Sequence, residues 1–224
     1  MIDEIKRLLG IDPNFRPQLC YGQDGEDLIA DRLLGRRQTG FYVDVGAHHP
    51  VRFSNTYLFY RRGWRGINID AEPGSMQMFE RYRPRDLNIE CGVGSHAGKL
   101  PYFRFNETAL NTVSEAEAAL KDRPPYKLVA RIEIVVRRLD EILDEFLPAG
   151  QNIDFMSIDV EGTDAAVLSS NDWARFRPEL VLVETLRTDV LSLGQCPSSR
   201  LLLDAGYRPV AKSYNTAFFQ RDAD

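Results

Sequence analysis

The sequence alternates short apolar runs with stretches of helical periodicity, and this alternation restricts the fold more than any other feature. Apolar runs of strand length lie at 41–45, 67–70, 87–91, 153–160 and 180–183. Helical stretches lie at 24–35, 54–62, 74–83, 138–147, 164–170 and 198–205. Strands that alternate with helices pair in parallel, because a helix carries the chain back to the start of the sheet. The pattern therefore predicts a doubly wound, largely parallel α/β sheet.

Two regions depart from this alternation. The final runs at 207–211 and 217–220 are too close together for a crossover helix, so they predict an antiparallel pair. Residues 99–137 are the least regular part and follow the third strand, where an insertion can cover the ligand-binding edge. We therefore expect one domain at 21–224 with an acceptor-site insertion at 99–130, preceded by a helical segment at 1–20.

Composition and charge argue against several classes of protein. With 224 residues, 43% of them hydrophobic and 27% charged, the chain suits one globular α/β domain. A net charge of −5 argues against a nucleic-acid partner, and no apolar run approaches the roughly 20 residues needed to span a bilayer. The three cysteines are widely spaced, which argues against a disulfide framework and suits the cytoplasm. The sequence leaves open whether the chain forms a homo-oligomer.

Acidic residues dominate the ends of the predicted strands, which is where parallel sheets bind their ligands. The residues that end or follow an apolar run are Asp44, Gly46, Asp70, Cys91, Asp159 and Glu184. A glycine such as Gly46 lets a ligand approach the backbone, and an acid such as Asp70 can accept both hydroxyls of a ribose. This pair predicts a nucleoside-type ligand that would meet any side chain placed at Gly46, although the full G-x-G-x-x-G dinucleotide pattern is absent.

Proton transfer has two candidate sources in the sequence. His49, in the loop after the first strand, and Asp159, at the end of the fourth, can each act as a general base. Alternatively, Asp159 and Glu184 hold Mg²⁺, a hard cation that prefers oxygen ligands. Glu161 belongs to the same acidic group, but it also precedes the helix at 164–170, whose positive end an acid stabilises. The residues alone do not choose between a direct base and a metal.

Six blocks of sequence resemble the FkbM-type methyltransferases, and they occur in the order expected for that family. The blocks are YGQDGEDLI at 21–29, FYVDVGAHHP at 41–50, SNTYLFY at 54–60, GWRGINID at 63–70, DVEG at 159–162 and NTAFF at 215–219. The resemblance implies a class I methyltransferase fold. This is a Rossmann-like, seven-stranded, mostly parallel sheet with helices on both faces and a C-terminal antiparallel hairpin.

The resemblance also implies S-adenosylmethionine as the cofactor and places residues around it. From the methionine end to the adenine, the implied contacts are Asp44, Gly46 and Ala47, then Asp70 at the ribose hydroxyls, then Cys91 and Gly92. The remaining residues of the implied cofactor site are Gln23, His48 and Asn55.

The reaction implied by the resemblance is O-methylation, since the family mostly methylates hydroxyl groups of sugars and polyketide-type natural products. We assign catalysis to His49, Asp159 and Glu161. Contacts with a small-molecule or glycan acceptor are assigned to Asn111, Tyr126 and Asn215. Two alternatives stay open. One is a nicotinamide-dependent oxidoreductase, because Asp70 serves the ribose of either cofactor, and the other is a non-catalytic module that binds a cofactor or glycan.

Overall fold

The computed structural model describes residues 18–222, with strands and helices close to most of the predicted positions. The strands are β1 (Phe41–Val45), β2 (Arg65–Asp70), β3 (Leu87–Glu90), β4 (Gly92–Val93), β5 (Gly98–Phe105), β6 (Leu128–Arg137), β7 (Phe155–Ile158), β8 (Leu180–Glu184), β9 (Tyr207–Lys212) and β10 (Thr216–Arg221). The helices are α1 (Glu26–Leu33), α2 (Tyr57–Arg62), α3 (Met76–Tyr82), α4 (Glu115–Lys121), α5 (Leu139–Phe146), α6 (Asp164–Ser169) and α7 (Pro197–Asp204). Short 3₁₀ turns lie at Thr108–Leu110 and Leu193–Gln195.

Seven strands form the main sheet, in the order β3-β2-β1-β7-β8-β10-β9. The strands from β3 to β8 in that order pair in parallel, whereas β10 pairs antiparallel with both β8 and β9. The predicted mostly parallel sheet with a C-terminal antiparallel hairpin is therefore confirmed. The direction of winding reverses between β1 and β7, which places the switch point of the sheet there.

Helices cover both faces of the main sheet, as expected. On β1, Val43 faces an apolar cluster that includes Leu139 of α5, whereas the next residue back, Tyr42, faces a second cluster with Ala30 of α1 and Phe59 of α2. Because both faces are buried, every residue of β1 is buried and the strand is apolar along most of its length. Such strands are visible in a sequence as continuous apolar runs.

A second sheet, of order β4-β6-β5, differs from the irregular segment expected at 99–137. Its long β5–β6 hairpin forms because β6 alternates buried Ile134 and Val136 with exposed Glu133 and Val135. This two-residue period is typical of a strand with one buried face. We refer to residues 98–137, which run from β5 through α4 to β6, as the roof.

Most of the helical segment expected at 1–20 lies outside the described residues, and 18–20 have no regular secondary structure. The helices within residues 18–222 fall short of the combined length and apolarity that a membrane-spanning helix requires.

Candidate active site

A cavity of about 580 Å³ lies at the carboxyl ends of β1, β2, β7 and β8, beneath the roof. The predicted site residues that line it are Gln23, Gly46, His48, His49, Asn55, Asp70, Cys91, Gly92, Asn111, Tyr126, Asp159, Glu161, Glu184 and Asn215. From the roof, residues 107–113 also contribute to its wall. The fold therefore brings residues from distant parts of the chain to one cavity at the switch point.

Two of the predicted cofactor residues lie behind the cavity wall. Asp44 is 5% exposed, and its Oδ2 accepts a hydrogen bond from the Thr56 hydroxyl at 2.6 Å. Ala47 packs against Met76 and Phe79. Their cofactor contacts stay predictions, and the structure gives both residues neighbours within the protein.

Asp70 ends β2 with its carboxylate held by backbone donors. The N–H of His48 donates to Oδ2 and the N–H of Glu72 donates to Oδ1, each at 2.8 Å. Burial raises the pKa of this carboxyl, and the two N–H donors oppose that rise. A carboxylate has about four lone-pair sites, so Asp70 can still accept hydrogen bonds from a ligand in the cavity.

Gly46 is required for a close approach between two loops of the protein. Its φ is +80°, and a Cβ at this position would lie 1.8 Å from the backbone carbonyl oxygen of Asp159. The expectation that a side chain at Gly46 would meet the ligand is therefore corrected. It would first collide with the chain after β7, because the loops after β1 and β7 touch at the switch point.

The histidines after β1 are both held by hydrogen bonds. The Nδ1 of His49 accepts from the N–H of Val51 at 3.0 Å and of Arg52 at 2.9 Å, so its hydrogen is on Nε2. Burial, followed by the Arg52 cation, lowers the pKa of His49. His48 bonds the Thr108 hydroxyl of the roof through Nε2 at 3.0 Å, and burial lowers its pKa to about 4. In this arrangement Nδ1 of His49 is occupied, and its catalytic role stays a prediction.

Three carboxylates, which we refer to as the acidic trio, meet at the ends of β7 and β8. One oxygen from each of Asp159, Glu161 and Glu184 lies within 4.8 Å of the others. Asp159 Oδ1 and Glu184 Oε2 are buried and have no hydrogen-bond partner among the described residues. Burial raises the pKa of Asp159 and of Glu184, and the neighbouring carboxylates raise each further. Leaving a buried polar atom without a hydrogen-bond partner costs about 1–3 kcal/mol of stability. A ligand or a proton that binds the trio would remove this cost.

Four ion pairs connect the roof to the main sheet around the cavity. Each joins a roof residue to the loop after a different parallel strand, in the order β1, β2, β7 and β8: Arg52–Glu107, Arg104–Glu72, Lys121–Glu161 and Arg187–Glu117. The acidic trio thus includes a carboxylate that is paired with a lysine of the roof.

Backbone strain concentrates at the same cavity. Five residues other than glycine have a positive φ within residues 18–222, between 53° and 57°. The four of them that line the cavity are His48, Phe53, Glu161 and Arg187. Each such residue costs about 1–2 kcal/mol, and strain of this kind persists where the surrounding structure enforces it, often at functional sites.

The predicted acceptor residues differ in how free they are to bind. Both polar atoms of the Asn111 side chain form hydrogen bonds within the protein. Oδ1 accepts from the N–H of Phe105 at 2.8 Å, and Nδ2 donates to Glu72 at 3.1 Å. Tyr126 is 40% exposed on the roof. Asn215 reaches the cavity from the loop before β10, where its carbonyl accepts from the N–H of Thr185 at 2.7 Å. Asn111 therefore shapes the wall, whereas Tyr126 is open to a ligand.

Two residues of the site were missed by the sequence reasoning. Glu72 lies two positions after Asp70 and receives both Arg104 and Asn111 from the roof. Its proximity to the end of β2 was the available signal. Lys121 pairs with Glu161 from within α4, and no local pattern indicates that partner, because the two residues meet only in the folded chain.

Residues 44–208 match the family model of the methyltransferase FkbM domain. Among solved structures, the chain is similar to an FkbM methyltransferase from Methylobacillus flagellatus, with a TM-score of 0.47 and 13% identity over 98% of this chain and 69% of that one. It is also similar to precorrin-6y C5,15-methyltransferase from Geobacter metallireducens, with a TM-score of 0.43 and 13% identity over 94% of this chain and 96% of that one. A third similar structure is 1,6-didemethyltoxoflavin-N1-methyltransferase from Burkholderia thailandensis, with a TM-score of 0.43 and 14% identity over 90% of this chain and 80% of that one. No curated protein sequence matches significantly.

Proposed function

Because the chain belongs to the FkbM methyltransferase family, we propose that it transfers a methyl group from S-adenosylmethionine to a hydroxyl oxygen. The acceptor that we propose is a sugar, or a glycosylated or polyketide natural product. The observation that carries the proposal is the order of groups along the cavity. Asp70 ends β2, Gly46 follows β1, and the acidic trio follows β7 and β8.

This order suits an extended ligand that is a nucleoside at one end and charged at the other. Neighbouring strands lie about 4.8 Å apart, so Asp70 and Asp159 are separated by roughly two strand spacings across β1. Asp70 retains lone pairs for ribose hydroxyls, and Cys91 and Gly92 at the end of β3 border the space beyond it. The cavity residues therefore fit the proposed cofactor in the orientation that the resemblance implies.

The cofactor supplies an electrophilic methyl group, and the chain supplies binding, orientation and proton transfer. Holding the acceptor oxygen in line with the reacting bond contributes up to about 7–11 kcal/mol. A hydroxyl is a poor nucleophile until its proton leaves, and a positioned base contributes roughly 10²–10⁴-fold. We assign the base to Asp159, because its Oδ1 has no partner within residues 18–222, whereas Nδ1 of His49 is occupied. Glu161, the third acid assigned to catalysis, lies beside Asp159 and is paired with Lys121.

The magnesium alternative uses the same three acids. Their oxygens are close enough to hold a hard cation, but Lys121 already brings a positive charge to Glu161. We therefore favour the direct base. Turnover in EDTA, then with added Mg²⁺, decides between them. Full activity in EDTA supports Asp159 acting alone, and loss that Mg²⁺ restores supports the metal.

The proposed function is tested with labelled S-adenosylmethionine and a panel of nucleotide sugars and glycosylated natural products. Transfer of label to a hydroxyl oxygen supports it. Transfer to nitrogen or carbon would retain the methyltransferase and replace the O-methyl assignment. Residues 99–130 are proposed to contact the acceptor, so Tyr126→Ala is expected to alter acceptor kinetics and to spare cofactor affinity.

A thermal-shift comparison tests the rival functions. S-adenosylhomocysteine, and not NAD, is expected to raise the melting temperature. The opposite result would favour the nicotinamide-dependent oxidoreductase. Binding of S-adenosylmethionine without turnover across the panel would favour the non-catalytic module.

A further inference from the structure

The acidic trio already binds one positively charged group of the protein. The ammonium nitrogen of Lys121 bonds Glu161 Oε2 at 2.5 Å, and the lysine side chain is only 12% exposed. The three carboxylates outnumber this single ammonium. Lys121 also acts on Asp159 and Glu184. Asp164, at the start of α6, acts on both acids and Asp44 of β1 acts on Asp159, and these two further groups are acidic.

Glu184 is the member of the trio that most clearly lacks a partner. It is 6% exposed and lines the cavity, and its Oε2 accepts no hydrogen bond from any residue in the range 18–222. Asp159 also lines the cavity, and its buried Oδ1 likewise has no hydrogen-bond partner among residues 18–222. Burial and the neighbouring acids raise the pKa of both groups, and a positive charge beside a buried carboxyl favours its ionised form. The side chains around the trio supply one cation, at Glu161, and leave the oxygens of the other two acids open to the cavity.

We propose that Asp159, Glu161 and Glu184 form a subsite for an onium group, a sulfonium or an ammonium. Through this subsite the protein binds the cofactor while it is charged and releases it when it is neutral. The inference rests on the proposed function. Asp70 and the trio lie on opposite sides of β1, and the proposed orientation of the cofactor puts its ribose at Asp70 and its sulfonium end at the trio.

The proposed reaction removes both charges of this contact in one step. The methyl group leaves the sulfur, which becomes a neutral thioether, and bonds to the acceptor oxygen, whose proton passes to Asp159 Oδ1. A cation beside a carboxylate is thereby replaced by a thioether beside a carboxylic acid. Opposite charges attract more strongly in the interior of a protein than in water, so the trio holds the charged cofactor and not the product.

Two matched probes isolate this effect without turnover. Sinefungin carries a protonated amine where the cofactor has its sulfonium, and S-adenosylhomocysteine is neutral at that atom. In calorimetric titrations at pH 7, we expect the wild-type protein to bind sinefungin at least about tenfold more tightly. We expect Glu184→Gln to reduce this ratio to below about threefold while leaving the affinity for S-adenosylhomocysteine almost unchanged, because only the charged probe loses an attraction.

The matched control is Glu133→Gln. A carboxylate outside the cavity lining serves here, since Glu133 pairs with Lys99 across β5 and β6, so Glu133→Gln is expected to keep the ratio of the two affinities at the wild-type value. If Glu184→Gln shows no cooperative thermal transition, Asp159→Asn takes its place in the same titrations.

Equal affinity of the wild-type protein for the two probes would overturn the onium subsite. So would a ratio that survives both Glu184→Gln and Asp159→Asn. Mg²⁺ that competes with sinefungin would assign the trio to a metal instead. If neither probe binds, the proposed function itself is wrong, which is a different result from binding both probes equally.

Discussion

The main sheet and the roof enclose one cavity, but they are held in place by different forces. Apolar clusters cover both faces of the sheet, and side chains such as Val43 and Phe155 are completely buried. The roof has smaller apolar clusters around Tyr102 and Phe103, and four ion pairs join it to the sheet. Burying a large apolar side chain contributes about 1.5–3 kcal/mol, whereas an exposed ion pair contributes about 0–1 kcal/mol.

Because the sheet and the roof are stabilised differently, we expect them to serve two different tasks, cofactor binding and access to the cavity. The sheet holds Asp70 and the acidic trio, to which we assign cofactor binding, at the ends of its strands. The roof contributes Tyr126 and the ion-pair partners. The three pairs with a partly exposed arginine break at little cost, whereas the Lys121–Glu161 pair is largely buried. We therefore expect substitutions in the sheet to change folding, substitutions at the strand ends to change cofactor binding, and substitutions in the roof to change local opening.

The largest effect is expected from Gly46→Val. The new Cβ would lie 1.8 Å from the Asp159 carbonyl oxygen, at a φ of +80° that a β-branched residue resists. We expect a loss of more than about 4 kcal/mol in the free energy of unfolding, measured by urea denaturation. The control is Gly150→Val, where φ is +75° and no heavy atom lies within 4 Å of the added Cβ. An equal loss in both variants would show that backbone strain, and not the contact between loops, explains Gly46.

The next largest effect is expected from Arg83→Met, at the residue directly after α3. Arg83 is completely buried, and its guanidinium donates to Asp86 at 2.9 Å and to the Tyr42 hydroxyl at 2.7 Å. Removing one member of a buried ion pair costs about 3–5 kcal/mol, because the other charge stays buried. Denaturation of Arg83→Met and of the double variant with Asp86→Asn tests this. If the double variant is no more stable than the single one, the stranded charge is not the cause.

Asp44, a buried acid of β1, makes the stability of the fold depend on pH. Burial raises the pKa of Asp44 to about 6, so the folded chain keeps a proton that the unfolded chain loses between pH 4 and 6. The free energy of unfolding therefore falls as the pH rises through this window. Relative to wild type, we expect Asp44→Asn to gain about 2–3 kcal/mol between pH 4 and pH 7. Parallel stability curves for the two proteins would contradict this.

The main sheet could be predicted from the sequence more completely than the roof. The strand at Phe41–Val45 was predicted with its observed bounds, because a strand buried on both faces is a continuous apolar run. The residues at the strand ends followed from the topology. The roof was harder, because its contacts join charged residues such as Lys121 and Glu161 that no local pattern pairs. The hydrogen bonds of the His49 ring were equally hard to predict, since the loop backbone decides which ring nitrogen carries the hydrogen.

A smaller effect, mainly on binding, is expected from Asp70→Asn. The amide keeps the shape of the side chain but loses the charge and one acceptor atom, and its NH₂ faces the backbone N–H of His48 or of Glu72. We expect a loss of roughly 1–3 kcal/mol in affinity for S-adenosylhomocysteine, measured by calorimetric titration. The control is Glu90→Gln, because Glu90 is the register partner of Asp70 on β3 and bonds the N–H of Gly74 instead. Unchanged affinity in Asp70→Asn would remove Asp70 from the site.

The smallest effect on global stability is expected from Arg104→Gln, which breaks the ion pair between the roof and Glu72. These side chains are 39% and 18% exposed, so the free energy of unfolding should fall by less than about 1 kcal/mol. Because the pair connects two structural units, its loss should accelerate amide hydrogen exchange in β5 and β6 and leave β1 unchanged. High salt should have the same effect on the wild-type protein, since about 1 M salt shortens the Debye length to about 3 Å.

Lys99→Gln is the matched control for this last comparison. It removes the same charge from the same hairpin, but Lys99 pairs with Glu133 across β5 and β6 and makes no link to the sheet through that pair. If the roof opens as a unit, only Arg104→Gln should accelerate exchange throughout the hairpin. Equal acceleration in both variants would reflect the weakened hairpin alone. Acceleration that extends to β1 would mean that roof and sheet open together, and the two tasks of the site would then share one cooperative unit.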